Sequence, residues 1–119
     1  MNEASSPLRC PVCRSPLFLS ERTLQCERRH SFDLAKEGYV NLLLSHKAAD
    51  TMGDSKEAAR FRRDFLSRGY YAPLRDALVG KLKGQTGRLL DVCCGEGYYT
   101  AALGSIPGLD VWGFDLARE

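Results

Sequence analysis

Five cysteines in this chain fall into two groups: Cys10, Cys13 and Cys26 near the start, and the adjacent pair Cys93 and Cys94. With one histidine the first group reads Cys10-x2-Cys13-x12-Cys26-x3-His30. A two-residue gap lets both thiolates of a tight turn face one ion. A Cys-x3-His gap does the same from a second turn, closing a tetrahedral shell suited to zinc. Four closed ligands leave no open position for a reacting water, so the expected metal is structural, not catalytic. The competing reading is reduced thiols without metal. A disulfide framework is not expected, because no secretory signal opens the sequence. His46 has no partner at ligand spacing and reads as a surface residue.

A second constellation lies near the other end. Arg88-Leu89-Leu90-Asp91-Val92-Cys93 is a short apolar run suited to a buried parallel strand, Cys94-Gly95-Glu96-Gly97 a tight turn, and Tyr98 to Leu103 the start of a helix. Ile106-Pro107-Gly108 breaks that helix, and Leu109 to Asp115 reads as a second strand ending in an acid. The unit predicted is β-α-β. Glycine at 95 and 97 lets a ligand approach the backbone, and an acid ending the second strand can accept both hydroxyls of a ribose. Asp115 follows Gly97 by 18 residues, close to the roughly 20 expected of a Rossmann-like ribose acid. The bulky Tyr98 and Tyr99 make a pyrophosphate a poor fit.

These side chains need elements to hold them. Leu17-Phe18-Leu19 and Thr23-Leu24-Gln25 flank Ser20-Glu21-Arg22 as in a short hairpin joining the two knuckles. So few apolar residues cannot fold alone, and bound structural zinc supplies roughly 10–16 kcal/mol of apparent free energy. The stretch from Ser31 to Leu44 is expected to pack this ribbon onto the later part of the chain. Asp54-x-x-Glu57 resembles a capping box, and Ala58, Phe61, Phe65 and Leu66 form one apolar stripe, so residues 55–68 read as a helix. Its other face carries Lys56, Arg60, Arg62, Arg63 and Arg68. A second helix is expected over 73–83, from Pro73 to the stop at Gly84.

The whole chain, 119 residues with 44% apolar and 27% charged, has a formal charge of only +2. That near-neutrality hides a gradient. Residues 1–50 carry 7 basic and 6 acidic side chains, residues 51–83 carry 8 and 4, and residues 84–119 carry 2 and 5. Screening confines fields to roughly 8–10 Å, so local sign decides what approaches each part. The basic middle, with Arg14, Arg28 and Arg29 at the knuckles, suits phosphates; the alternative is a solvated, ion-paired face. No apolar run reaches about 18 residues, which excludes a membrane partner and points to a soluble, cytoplasmic protein.

The pattern Leu89-Leu90-Asp91-Val92-Cys93-Cys94-Gly95-Glu96-Gly97 resembles motif I of class I S-adenosylmethionine methyltransferases. Asp91 is then the acid within the motif, and an acidic pocket tolerates a sulfonium and an amino group. Cys93 stands where most of that superfamily has glycine. The order of the knuckles, His30-x-Phe32-Asp33-x-Ala35-Lys36-Glu37-Gly38-Tyr39-Val40-Asn41-Leu42-Leu43, Gly53-Asp54-Ser55 and Ala59-Arg60-x4-Phe65-Leu66-x2-Gly69-x-Tyr71 is similar to the bacterial 23S ribosomal RNA (guanine-N1)-methyltransferases. The resemblance runs from Cys10 to Asp115; Ala58 stands where that family commonly has Met.

The resemblance implies zinc on Cys10, Cys13, Cys26 and His30, in a module that helps grip a large-subunit ribosomal RNA hairpin. It implies S-adenosyl-L-methionine at Tyr71, Asp91, Gly95, Glu96 and Gly97, with Asp115 on the ribose. From its residues alone, Tyr71 reads equally well as an aromatic packed beside Pro73. The implied reaction is methyl transfer to guanine N1, with no catalytic residue assigned and with room for a homodimer of the full-length protein. The expected fold class is α/β. A zinc-ribbon-like β module spans 1–44, a basic helical linker 45–84, and the first β-α-β of a Rossmann-like sheet 85–119. Such a sheet is incomplete, so the chain is expected to be inactive alone. The alternative is a non-catalytic zinc module that binds RNA or a protein.

Overall fold

The alternation of apolar and polar side chains after the first knuckle builds strands too short to be stable singly, so they pair. β1 (Ser5–Arg9), β2 (Pro16–Ser20), β3 (Thr23–Gln25) and β4 (Ser31–Asp33) form one antiparallel sheet in that order. The hairpin anticipated from the sequence joins β2 to β3, with Leu19 opposite Leu24 and Ser20 opposite Thr23. Its turn is the pair Glu21-Arg22, with Glu21 left-handed at φ +56°. The computed structural model describes residues 5–44 and 55–116 and divides into two units, Met1–Lys47 and Ala48–Glu119. His46 and Asp54 lie outside the described residues.

The core of the first unit is Cys10, Leu17, Leu24 and Cys26, all buried. The stretch after His30 feeds this core. Phe32 pairs with Leu24 across the sheet, Leu34 bridges to Val40, and Leu34, Val40 and Leu42 pack against the buried cluster. The Arg22 guanidinium donates to the Ala35 carbonyl at 2.6 Å, fastening the loop to the hairpin turn.

In the second unit, α1 (Lys56–Ser67) and α2 (Ala72–Leu82) precede β5 (Gly87–Val92), α3 (Tyr98–Leu103) and β6 (Leu109–Phe114). The cap of α1 is Ser55, whose Oγ accepts from the Ala58 N–H at 3.1 Å. β5 and β6 pair in parallel, Asp91 beside Gly113 and Val92 beside Phe114, so the expected β-α-β unit is present. α3 packs on α2 and on β6. Gly113 is closely packed there: a Cβ would stand 3.0 Å from Cys94 Sγ and 3.1 Å from Thr100 Cγ2, so those side chains would have to give by a few tenths of an ångström. Buried apolar residues in this unit are Leu103 and Ile106 among those described, while Leu90, Val92 and Phe114 on one sheet face stay exposed. Among the described residues no helix is long and apolar enough to cross a membrane.

Candidate metal centre and cofactor cleft

Each knuckle folds on itself through backbone hydrogen bonds. The Arg14 N–H donates to the Cys10 carbonyl at 2.7 Å, and the Arg29 N–H to the Cys26 carbonyl at 3.0 Å. Both arginines take the left-handed conformation, at φ +64° and +69°, which turns the chain back sharply. The Cys26 N–H reaches the His30 carbonyl at 3.0 Å, bringing the ring over the thiols.

The result is a cluster in which the ligand atoms of Cys10, Cys13, Cys26 and His30 all lie within 4.8 Å of one another. Cys13 Sγ is 3.7 Å from Cys26 Sγ, and His30 Nδ1 is 3.5 Å from Cys10 Sγ and 3.3 Å from Cys26 Sγ. A tetrahedral ion with Zn–S of about 2.3 Å and Zn–N of about 2.0–2.1 Å requires S···S edges of about 3.8 Å and S···N edges of about 3.6 Å. The three measured edges lie close to that shell, and the sulfurs are free thiols. Hydrogen bonding from Ser15 draws the Cys13 thiol down to about 6, while burial pushes Cys26 up. A deprotonated Cys13 is the form that binds metal.

The second candidate site surrounds the glycine turn. Cys93, at φ +59°, begins the turn in the left-handed region, a conformation that glycine adopts without a Cβ penalty. Gly95 follows at φ +58°, and a Cβ built on it meets nothing within 4 Å, so the space above the turn is open to a ligand. The Gly95 N–H donates to Asp115 Oδ2 at 2.8 Å, tying the turn to the end of β6. Thr100 Oγ1 donates to Asp91 Oδ2 at 2.7 Å, which anchors α3 to β5. Cys94 points inward, and burial together with the charges of Asp91 and Asp115 raises its pKa, keeping the thiol neutral.

Asp91, Gly95 and Glu96 line one shallow cleft of about 130 Å³. That is less than the roughly 300–1,000 Å³ of a site that encloses a small molecule, so these residues do not by themselves enclose one. Gly97 caps α3 at φ +92°. Tyr71, Gly97 and Asp115 are not among the lining residues; the Tyr71 ring meets Phe65 edge-on at 5.7 Å. The other lining residues are Arg62 and Leu66 of α1, Cys93 and Cys94 of the turn, and Tyr98 and Tyr99 of α3, none of them among the cofactor residues expected from the sequence. Nor did the sequence reading anticipate that Arg63 Nε donates to Glu96 Oε2 at 2.8 Å. The available signal was the contrast between a basic middle and an acidic end.

Residues 8–49 match the zinc-ribbon family described as RlmA, N-terminal. The 23S rRNA (guanine(748)-N(1))-methyltransferase of Streptomyces fradiae is 38% identical over 99 residues, 79% of this chain and 35% of that protein. A putative 23S rRNA (guanine-N(1)-)-methyltransferase of Micromonospora griseorubida is 45% identical over 76 residues, 60% of this chain and 25% of that protein. A third, from Bacillus subtilis, also named a putative 23S rRNA (guanine-N(1)-)-methyltransferase, is 36% identical over 121 aligned positions, 96% of this chain and 39% of that protein. The chain thus spans between 25% and 39% of the length of these relatives. With a ribbon of the RlmA type followed by a glycine turn between parallel strands, the chain is similar to an N-terminal portion of the 23S rRNA (guanine-N1)-methyltransferases.

Proposed function

We propose that this chain is the zinc-binding and cofactor-binding beginning of a cytoplasmic methyltransferase that modifies N1 of a guanine in a 23S rRNA hairpin, and that the full-length protein forms a homodimer. Residues 1–44 are its zinc module, 45–84 its basic helical linker and 85–119 the start of its cofactor domain. The observation that carries this reading is the turn Cys93–Gly97. It is open above Gly95 and tied to the end of β6 through Asp115, in a chain that also presents a Cys3His cluster.

In this reading Cys10, Cys13, Cys26 and His30 hold zinc, which keeps the knuckle arginines in place to meet phosphates. S-adenosyl-L-methionine supplies an electrophilic methyl group when bound. Gly95 and Gly97 admit it to the backbone, Asp115 takes the ribose hydroxyls, and Asp91, Glu96 and Tyr71 complete its contacts. Guanine N1 carries a proton that it must lose, and the base must leave its stack to be reached. Arg60 of α1 and the knuckle arginines bind the RNA backbone, a contribution that weakens with salt.

The test uses the full-length protein as its gene encodes it, loaded with zinc and given labelled S-adenosylmethionine and large-subunit RNA. Label on one guanine, with a reverse-transcription stop at that base, is expected. Folded, zinc-loaded protein that binds the RNA but transfers no label would overturn the enzymatic reading in favour of a binding module.

A further inference from the structure

Glu96 is reached from a helix far away in sequence. The Arg63–Glu96 pair joins α1 to the glycine turn at 2.8 Å, with the two side chains 50% and 21% exposed. Both neighbours of Glu96 are left-handed glycines, which bring no side chain to brace it. A glutamate has three rotatable bonds and loses substantial rotamer freedom when ordered. The guanidinium of Arg63 supplies the missing brace, and its planar fork directs a carboxylate more firmly than an ammonium does. Arg62 and Leu66 of the same helix line the cleft beside it.

We infer that Arg63 is a positioning residue: it holds the Glu96 carboxylate oriented over the cleft and so prepares the turn for its cofactor. This rests on the reading that the cleft takes S-adenosylmethionine. Two effects of removing Arg63 oppose each other. The cleft becomes more negative, which favours a cationic sulfonium, and Glu96 becomes disordered, which disfavours any ligand that touches it. S-adenosylhomocysteine has a neutral sulfur and otherwise the same contacts, so it separates the two.

Calorimetric titration of the full-length, zinc-loaded protein with each ligand decides the matter. Arg63→Gln is expected to weaken S-adenosylhomocysteine by about fivefold, the scale of a partly exposed ion pair, and S-adenosylmethionine by somewhat less. Arg63→Lys should recover part of the loss, and Arg63→Gln should add nothing in a Glu96→Gln background. Unchanged affinity in Arg63→Gln, or tighter S-adenosylmethionine with unaltered S-adenosylhomocysteine, overturns the positioning role alone. If the unsubstituted protein binds neither ligand, the cofactor reading itself fails. Should Arg63→Gln not fold, Arg63→Lys and Glu96→Gln test the same pair, and wild-type affinity in both overturns it.

Discussion

The two units of this chain achieve sharp local geometry by different means. The ribbon turns its chain at Arg14 and Arg29, left-handed residues that carry bulky side chains, and gathers its thiols into its own core, Cys10 and Cys26 beside Leu17 and Leu24. The metal cluster and the hydrophobic core are one object. The second unit turns at Cys93, Gly95 and Gly97 and leaves that turn open for a ligand, while Leu90, Val92 and Phe114 remain exposed on its sheet. A small module thus closes on its own ligand cluster, whereas the glycine turn stays accessible and draws its order from Asp115, Thr100 and Arg63.

The largest expected effect therefore lies in the ribbon. Chelation, or Cys26→Ser, should remove roughly 10–16 kcal/mol of apparent binding energy, as much as the whole stability of a typical domain. Leu17 and Leu24 should lose their dispersed NMR resonances, with about one zinc released per chain on chelation, while the β5–β6 ladder stays protected from exchange. A ribbon that keeps its signals without metal would show that its apolar residues suffice, and the contrast with the second unit would disappear.

Gly95→Ala probes the opposite strategy. The added Cβ meets no protein atom within 4 Å, so the cost to folding is the left-handed strain alone, about 1–2 kcal/mol. The methyl group occupies the ligand's approach, and S-adenosylmethionine affinity should fall tenfold or more, about 1.4 kcal/mol or above. A variant that binds normally by calorimetry would move the cofactor away from this part of the turn.

These contrasts also explain how much could be read in advance. The knuckles were legible because ligand spacing is local: Cys10-x2-Cys13 and Cys26-x3-His30 fix their geometry within a few residues. The strand–turn–helix around Gly95 was legible for the same reason. β1 escaped notice because Ser5–Arg9 has no strand signal of its own and exists by pairing with β2. β4 likewise comes from the pairing of Phe32 with Leu24. The expected cap moved from Asp54 to Ser55, a one-residue choice between two good capping side chains. Arg63 and Arg62 read as a basic face, yet one grips Glu96 and the other lines the cleft. Only the approach of α1 to the turn, across 33 residues of chain, puts them there.

A smaller effect is expected at Cys93. Its left-handed φ of +59° carries a penalty of about 1–2 kcal/mol that glycine avoids, but glycine also adds freedom to the unfolded chain, worth about 0.4–1 kcal/mol. The difference predicts that Cys93→Gly stabilises the second unit by about 0.5–1 kcal/mol in urea unfolding. Destabilisation would mean that the thiol makes packing contacts that outweigh the strain.

The smallest effect should come from the open sheet face. Arg88 Nε meets Asp110 Oδ2 at 3.1 Å, with the side chains 46% and 54% exposed, in the same row of β5 as Leu90 and Val92. Exposed pairs of this kind contribute about 0–1 kcal/mol because water screens them and two long side chains must be ordered. Arg88→Ala should change stability by no more than about 0.5 kcal/mol in this chain. The same substitution in the full-length protein sharpens the contrast between units. If further chain covers Leu90, Val92 and Phe114, Asp110 loses its cation in a drier setting and the loss should be clearly larger than in this chain. Equal, small losses in both would mean that this face stays in water in the complete molecule, and that its exposed apolar residues are not the unfinished half of a core.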